Sequence, residues 1–275
     1  MIEPEGQEQQ RADLAAALKE LRRVSGLSGE RLAVRTGMSQ TKISRIETGR
    51  ALPSVFDVQA ILRALEVPKV QADELMELTR LANTEYRDFR TERRTGLLQL
   101  QREFEALERD AREIRHFLPT MLTGLLQTPE YARATDIAAQ PKALAKRLAR
   151  QAVLYERSKS FTFLLTEAAV RWPLLPFDAM AVQVDRLISV ALLPSVRLGV
   201  TPFRTPLPVS PLNVFTIYDE VLATAETLGG MIIMRDPRDV AIHLEEFREF
   251  ERFTLWGTDA TDLLASLAAE FRARA

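Results

Sequence analysis

Cysteine is absent from this 275-residue chain, and histidine occurs only at His116 and His243. The first absence excludes a disulfide framework, a thiolate zinc site and a cysteine nucleophile. The second leaves too few imidazoles for a multi-histidine metal site, so neither a metal nor a cofactor is expected. No apolar run approaches the roughly 20 residues of a membrane-spanning helix. The opening MIEPEGQEQQ is polar and has no signal-peptide core. There is no P-loop and no glycine-rich nucleotide turn. Hydrophobic residues make up 46% and charged residues 27% of the chain, the balance of a soluble globular protein. A reducing cytoplasm is its expected home.

Catalytic signals are equally sparse. A Ser–His–acid arrangement would have to use His116 or His243, and each reads as a surface or helix-packing residue. Glu167 and Arg171, in TEAAVRW, read as an ion pair rather than a ligand site. No enzyme is expected.

What the chain does have is an uneven distribution of charge. The net charge is −1, yet Arg11–Arg50 holds nine Lys and Arg against four acids. A basic N-terminal module on a mildly acidic body points to a polyanionic partner at one end.

The pattern of that module is helical. In RADLAAALKELRRVSGLS, Leu14, Leu18 and Leu21 recur at helical spacing, and Gly26 supplies a stop. Ser28 is a good N-cap for a second helix, Gly29 to Thr36, with Leu32 and Ala33 inward. Gly37 provides a turn position that tolerates positive φ. Ser39 caps a third helix, Gln40 to Thr48, closed by Gly49. Pro53-Ser54 opens a fourth, VFDVQAILRALEV. At 100° per residue, Ile43 and Ile46 of the third helix face a core. Thr41 and Arg45 lie nearly opposite, flanked by Lys42 and Ser44, with Gln40 at the exposed start. Such a polar face, entering a major groove N-terminus first, can reach base edges.

GLSGERLAVRTGMSQTKISRIETGRALPS resembles the helix-turn-helix of the lambda-repressor/Cro-like (Xre) class. Leu32, Ala33, Gly37, Gln40, Ile43, Ile46, Glu47, Gly49 and Pro53 fit its pattern. The resemblance implies base contacts from Gln40, Thr41, Ser44 and Arg45. It implies phosphate contacts from Lys42 and Arg50. The capping residues Ser28 and Ser39 and the free N–H at Gly29 are further phosphate candidates. The class often has Gln where Gly29 stands. Arg22 and Glu47 occupy the positions of a structural ion pair in that class.

Beyond this module, QADELMELTRLAN is helical and TEYRDFRTERRTG reads as a connector whose arginines (Arg87, Arg90, Arg93, Arg94) are candidate phosphate contacts. LLQLQREFEALERDAREIRHFLP reads as one long amphipathic helix. Thr128-Pro129-Glu130 starts another, and PKALAKRLARQAVLYERS a third. Five strands are expected, in SFTFLLTE, VRLGVTPF, NVFTIYD, VLATAET and MIIMRD, with Gly229-Gly230 as a hairpin turn. Two helices, about Pro237–Trp256 and Asp259–Arg272, close the chain. The fold class is α+β: an all-α helix-turn-helix domain (10–68), a helical connector (69–96), and an α+β regulatory domain (97–275) with a small, mostly antiparallel sheet.

IRHFLPTMLTGLLQTPEYARA, RLARQAVLYER and EFERFTLWGTDATDLL resemble the C-terminal domain of WhiJ-like actinobacterial regulators, Xre-type proteins of Streptomyces and relatives. Thr123 stands where proline is usual. The resemblance implies a regulator acting at its own locus and on developmental or secondary-metabolism genes. It also implies an antitoxin-like pairing with a small partner protein encoded nearby. Gln127, Pro129, Glu130, Tyr131, Arg150 and Gln151 read as capping and core. The expected partners are a near-palindromic duplex DNA, a second copy of the chain held through the C-terminal domain, and that small protein. The expected location is cytoplasmic, on the nucleoid, with no membrane role. An antitoxin-like binder, or a ligand-sensing domain of unrecognised activity, is the alternative.

Overall fold

The structure, a computed structural model, describes residues 4–89, 97–135, 140–208, 210–227 and 229–275. It divides into two compact units: residues 1–87 with 232–239, and residues 88–231 with 240–275.

The first unit is built on five helices: α1 (Pro4–Val24), α2 (Gly29–Thr36), α3 (Gln40–Glu47), α4 (Val55–Ala64) and α5 (Lys69–Asn83). α1 starts before the Arg11 implied by its apolar pattern. Helices this short are marginal alone and are held by the face they bury. Leu14, Leu18, Leu32, Ile43, Ile46, Val58 and Ile61 form one core, each no more than 2% exposed. Burying each contributes about 1.5–3 kcal/mol. The turns follow residue chemistry. Gly37 and Gly49 adopt φ of +68° and +69°, where a Cβ would be strained. Ser54 and Asp57 cap α4 reciprocally. After α5 the chain becomes a strand, β1 (Thr84–Asp88), within the segment expected to be a connector. Arg87 pairs with Glu85 at 2.7 Å. Arg90, Arg93 and Arg94 lie outside the described residues.

The second unit begins with α6 (Leu98–Asp110). The long helix expected over 97–119 ends there, and Glu113–Leu118 is strand β2. The cause is tertiary. β2 is flanked on both sides, parallel to β3 (Ser160–Thr166) and antiparallel to β5 (Phe215–Tyr218). Two-sided pairing outweighs a helical pattern of charged residues. Next come α7 (Pro129–Arg133), α8 (Pro141–Arg150), a short 3₁₀ turn, then α9 (Glu167–Arg171) and α10 (Phe177–Ala191). The remaining elements of the chain are β4 (Val196–Thr201), β6 (Leu222–Glu226), β7 (Gly230–Met234), α11 (Pro237–Glu251), β8 (Leu255–Trp256) and α12 (Gly257–Arg272), of which residues 232–234 of β7 and 237–239 of α11 belong to the first unit.

Within this unit the strand order is β6-β5-β2-β3-β4-β8. Pairs β2–β5, β5–β6 and β4–β8 are antiparallel, while β2–β3 and β3–β4 are parallel. The parallel pairs need crossovers, which α7–α8 and α9–α10 supply. β8 interrupts what read as one helix to Trp256, and α12 starts at Gly257 instead of Asp259. β4 admits β8 because residue 199 is glycine: a Cβ there would stand 2.5 Å from Thr254 Cγ2 and 2.6 Å from Trp256 Cε3. The β5–β6 turn has Asp219 and Glu220 at φ of 49° and 54°, the hand that matches strand twist. The Asp219 carboxylate also accepts from the backbone N–H of Arg112 and Glu113 at 2.9 and 2.7 Å, fixing the start of β2.

The interior of this unit is not wholly apolar. Arg150 on α8 donates to both oxygens of Glu108 on α6 and to Gln101 Oε1 at 2.6 Å. His116 on β2 is 3% exposed, not a surface or helix-packing residue. Its ring stacks on Phe163 at 4.9 Å, and its Nδ1 lies 2.9 Å from Thr216 Oγ1. Burial, then the Arg150 charge, push its pKa down to about 3, so it is neutral at physiological pH. Gln127 donates to the Leu122 carbonyl at 2.8 Å. Glu167 pairs with Arg171 and accepts from the Phe203 N–H at 2.8 Å.

Candidate nucleic-acid interface

α2 and α3 are placed by capping at one end and burial in the middle. Ser28 Oγ accepts from the Arg31 N–H at 3.2 Å, and Ser39 Oγ from the Lys42 N–H at 3.1 Å. Leu32 and Ala33 anchor α2, while Ile43 and Ile46 anchor α3. The rest of α3 is therefore turned outward. Gln40, Thr41, Lys42, Ser44 and Arg45 are all exposed, as is Arg50 just after Gly49. Ser28 and Ser39 are exposed with them. Gly29 sits close by: a Cβ on it would stand 4.0 Å from the Gln40 amide nitrogen.

The basic groups of this face differ in commitment. Arg45 and Arg50 have no side-chain partner among the described residues. Lys42 does: its ammonium lies 2.7 Å from Asp57 Oδ1. Burial alone would raise the Asp57 pKa, but the Lys42 ammonium and the Ser54 hydrogen bonds outweigh it and hold the carboxyl below its ordinary range. Lys42 is thus partly neutralised before any phosphate arrives. Its tie to Asp57 could have been suspected, because the N3 acid of α4 is a fixed position of a capping box.

Arg22 and Glu47 face each other in a fork. Arg22 Nε and Nη2 donate to the two Glu47 oxygens at 2.6 and 2.8 Å, and Nη1 donates to the Leu27 carbonyl at 3.0 Å. This ties the end of α3 to α1 and to the turn before α2. Glu47 raises the pKa of Arg22 through the hydrogen bond, against the pull of burial. The bidentate geometry fixes orientation as well as distance. A helix N-terminus with free N–H groups, exposed hydroxyls and two uncommitted guanidinium groups can meet both phosphates and base edges.

A family model described as "Helix-turn-helix domain" matches residues 13–75. A second, described as "Domain of unknown function (DUF5753)", matches residues 101–266. No curated protein matches the chain. Two solved structures overlap it loosely. One is a phospholipase D family member, Nuc from Salmonella typhimurium, at 12% identity over 57% of this chain and 90% of that one, with a TM-score of 0.35. The other is TrmBL2, an archaeal chromatin protein, at 18% identity over 72% of this chain and 65% of that one, with a TM-score of 0.32. Scores this low assign no shared fold. The DUF5753 match covers more than half of the sequence and follows a helix-turn-helix domain, and the chain belongs to the DUF5753 family.

Proposed function

We propose that the protein is a sequence-specific DNA-binding transcriptional regulator that reads base edges with α3. The observation that carries this reading is the outward face of that helix. Gln40, Thr41, Ser44 and Arg45 are exposed and polar on a helix locked by Ile43 and Ile46. Arg45 offers a bidentate fork suited to guanine, and Gln40 an amide suited to adenine. Arg50, Ser28, Gly29 and Ser39 contact phosphates, with a smaller share from Lys42. Arg22 and Glu47 hold the frame.

One such helix reads only a few base pairs, so the active form is a two-fold dimer on a near-palindrome, with half-sites about 34 Å apart. Among the described residues the second unit exposes more large apolar side chains than the first, Trp172, Val182, Leu192 and Phe203 among them, so the dimer contact falls to the second. That unit also receives the controlling signal, from a small ligand or from a small partner protein as in WhiJ-like, antitoxin-like pairs. The protein acts in the cytoplasm on the nucleoid, without catalysis. Selection from a random duplex pool by the full chain tests this reading. An inverted repeat bound at least about 10³ times more tightly than random duplex supports it. Equal affinity for all duplexes overturns it. Co-purification with a neighbouring gene product would favour the partner protein over the ligand as the signal.

A further inference from the structure

The second unit contains a cavity of about 60 Å³ beside β2, between α6, α8 and the ends of β5 and β6. That is room for about four waters, at roughly 15 Å³ of such volume for each, and so for one small polar group. Met121, on its wall, is 38% exposed, so the cavity reaches the surface there.

Its walls are built from polar groups brought in by separate elements. Gln101 is fully buried. Arg150 takes its Oε1, and its Nε2 has no partner among the described residues. His116 is bonded at Nδ1, and its buried Nε2 is likewise unpartnered. If Thr216 donates to Nδ1, the ring proton is on Nε2 and faces the cavity. A buried polar atom without a partner is costly, and two on one cavity wall point to an acceptor that enters it.

The charges agree on what that acceptor is. Arg150 is matched by Glu108. Arg147 makes no ion pair among the described residues: its Nη1 donates to two neutral acceptors, Gln127 Oε1 at 3.1 Å and Thr135 Oγ1 at 3.2 Å, and Glu226 acts on it only through space. Burial, then Arg150, lower its pKa to about 10, which leaves it cationic at neutral pH. Two acids line the wall, Glu108, which pairs with Arg150, and Glu226, whose pKa burial raises against the pull of Arg147 and Arg150. Beyond the Arg150–Glu108 pair, the cavity therefore presents a cation, an amide donor and an imidazole nitrogen that donates when Thr216 donates to Nδ1, with the Glu226 carboxyl, which a second negative charge would push toward its protonated form.

We propose that this cavity binds the oxyanion head, carboxylate or phosphate, of a small molecule whose remainder leaves past Met121. The proposal rests on reading the second unit as the sensing half of a regulator. The geometry of the site stands whether or not the first unit binds DNA.

The test titrates the full-length protein with sodium acetate and with sodium phosphate at constant ionic strength. Sodium chloride is the control, and heat of binding and melting temperature are the readouts. A saturable signal for one anion and none for chloride is expected, and the anion that gives it identifies the head group. Arg147→Gln should weaken the affinity at least tenfold. Glu226→Gln, which removes the acid and keeps the shape, should tighten it several-fold. No response to either anion overturns the proposal. So does an unchanged affinity in Glu226→Gln, which holds even if Arg147→Gln fails to fold. Operator affinity, measured with and without saturating anion, is a separate readout. A change supports a role in control. No change overturns that role and leaves the binding site standing.

Discussion

The outward face of α3 and the interior beside β2 are both polar, and they use polarity in opposite ways. On α3 the polar groups are exposed and Arg45 is uncommitted. They cost little to keep in water and wait for a partner. Beside β2, Arg150, Glu108 and Gln101 are buried and committed to one another. Removing one member leaves another charged or polar in a low dielectric. The first region should therefore tolerate substitution and lose function, whereas the second should lose structure.

The sharpest test of that contrast is Arg150→Ala. The Arg150 and Glu108 side chains are 5% and 3% exposed. Breaking a buried pair from one side costs about 3–5 kcal/mol. Trp172 and Trp256, the only tryptophans in the chain, both lie in the second unit. Their fluorescence should show a denaturant midpoint shifted down strongly, and an unshifted midpoint would break the comparison. Gly199→Ala should cost less, about 1–3 kcal/mol by overpacking. Its Cβ would meet Thr254 and the Trp256 ring, and the same fluorescence reports it.

On the exposed face, stability should hardly move. Arg50→Ala should leave the melting curve unchanged, weaken cognate and random duplex alike, and lower the salt slope by about one. Lys42→Ala should lower that slope by less, because Asp57 already shares its charge. The Lys42–Asp57 tie should also appear as pH dependence. Asp57 has a pKa held below its ordinary 3.8. The stability it contributes is present above that value and is lost as pH falls through its folded value. Asp57→Asn should flatten this part of the acid limb, measured by circular dichroism between wild type and variant.

The two regions were also unequally legible in the sequence. The first unit is local: Ser28, Gly37, Ser39, Gly49 and Ser54 mark helix ends by their own chemistry, and Ile43 and Ile46 declare the buried face by spacing. The strands β3 to β7 announced themselves through β-branched and aromatic runs. β2 did not, because EIRHFL follows a charged helical pattern without a glycine or proline between them, and only its neighbours β3 and β5 make it a strand. β8 is two residues long and depends on the missing side chain at Gly199. The cavity was the least legible part. Gln101, His116, Arg147 and Glu226 come from four segments with no shared spacing. His116 read as a surface or helix-packing residue and Arg150 as capping and core, and neither reading named the partners that the fold supplies.

The reading of bases by α3 is tested by base-preference profiles of the wild type and Arg45→Ala, taken from one random duplex pool. An inverted repeat is expected for both, with the variant losing preference at one base pair per half-site and about 1–3 kcal/mol of affinity there. Identical profiles, with the variant binding as tightly as the wild type, would contradict it.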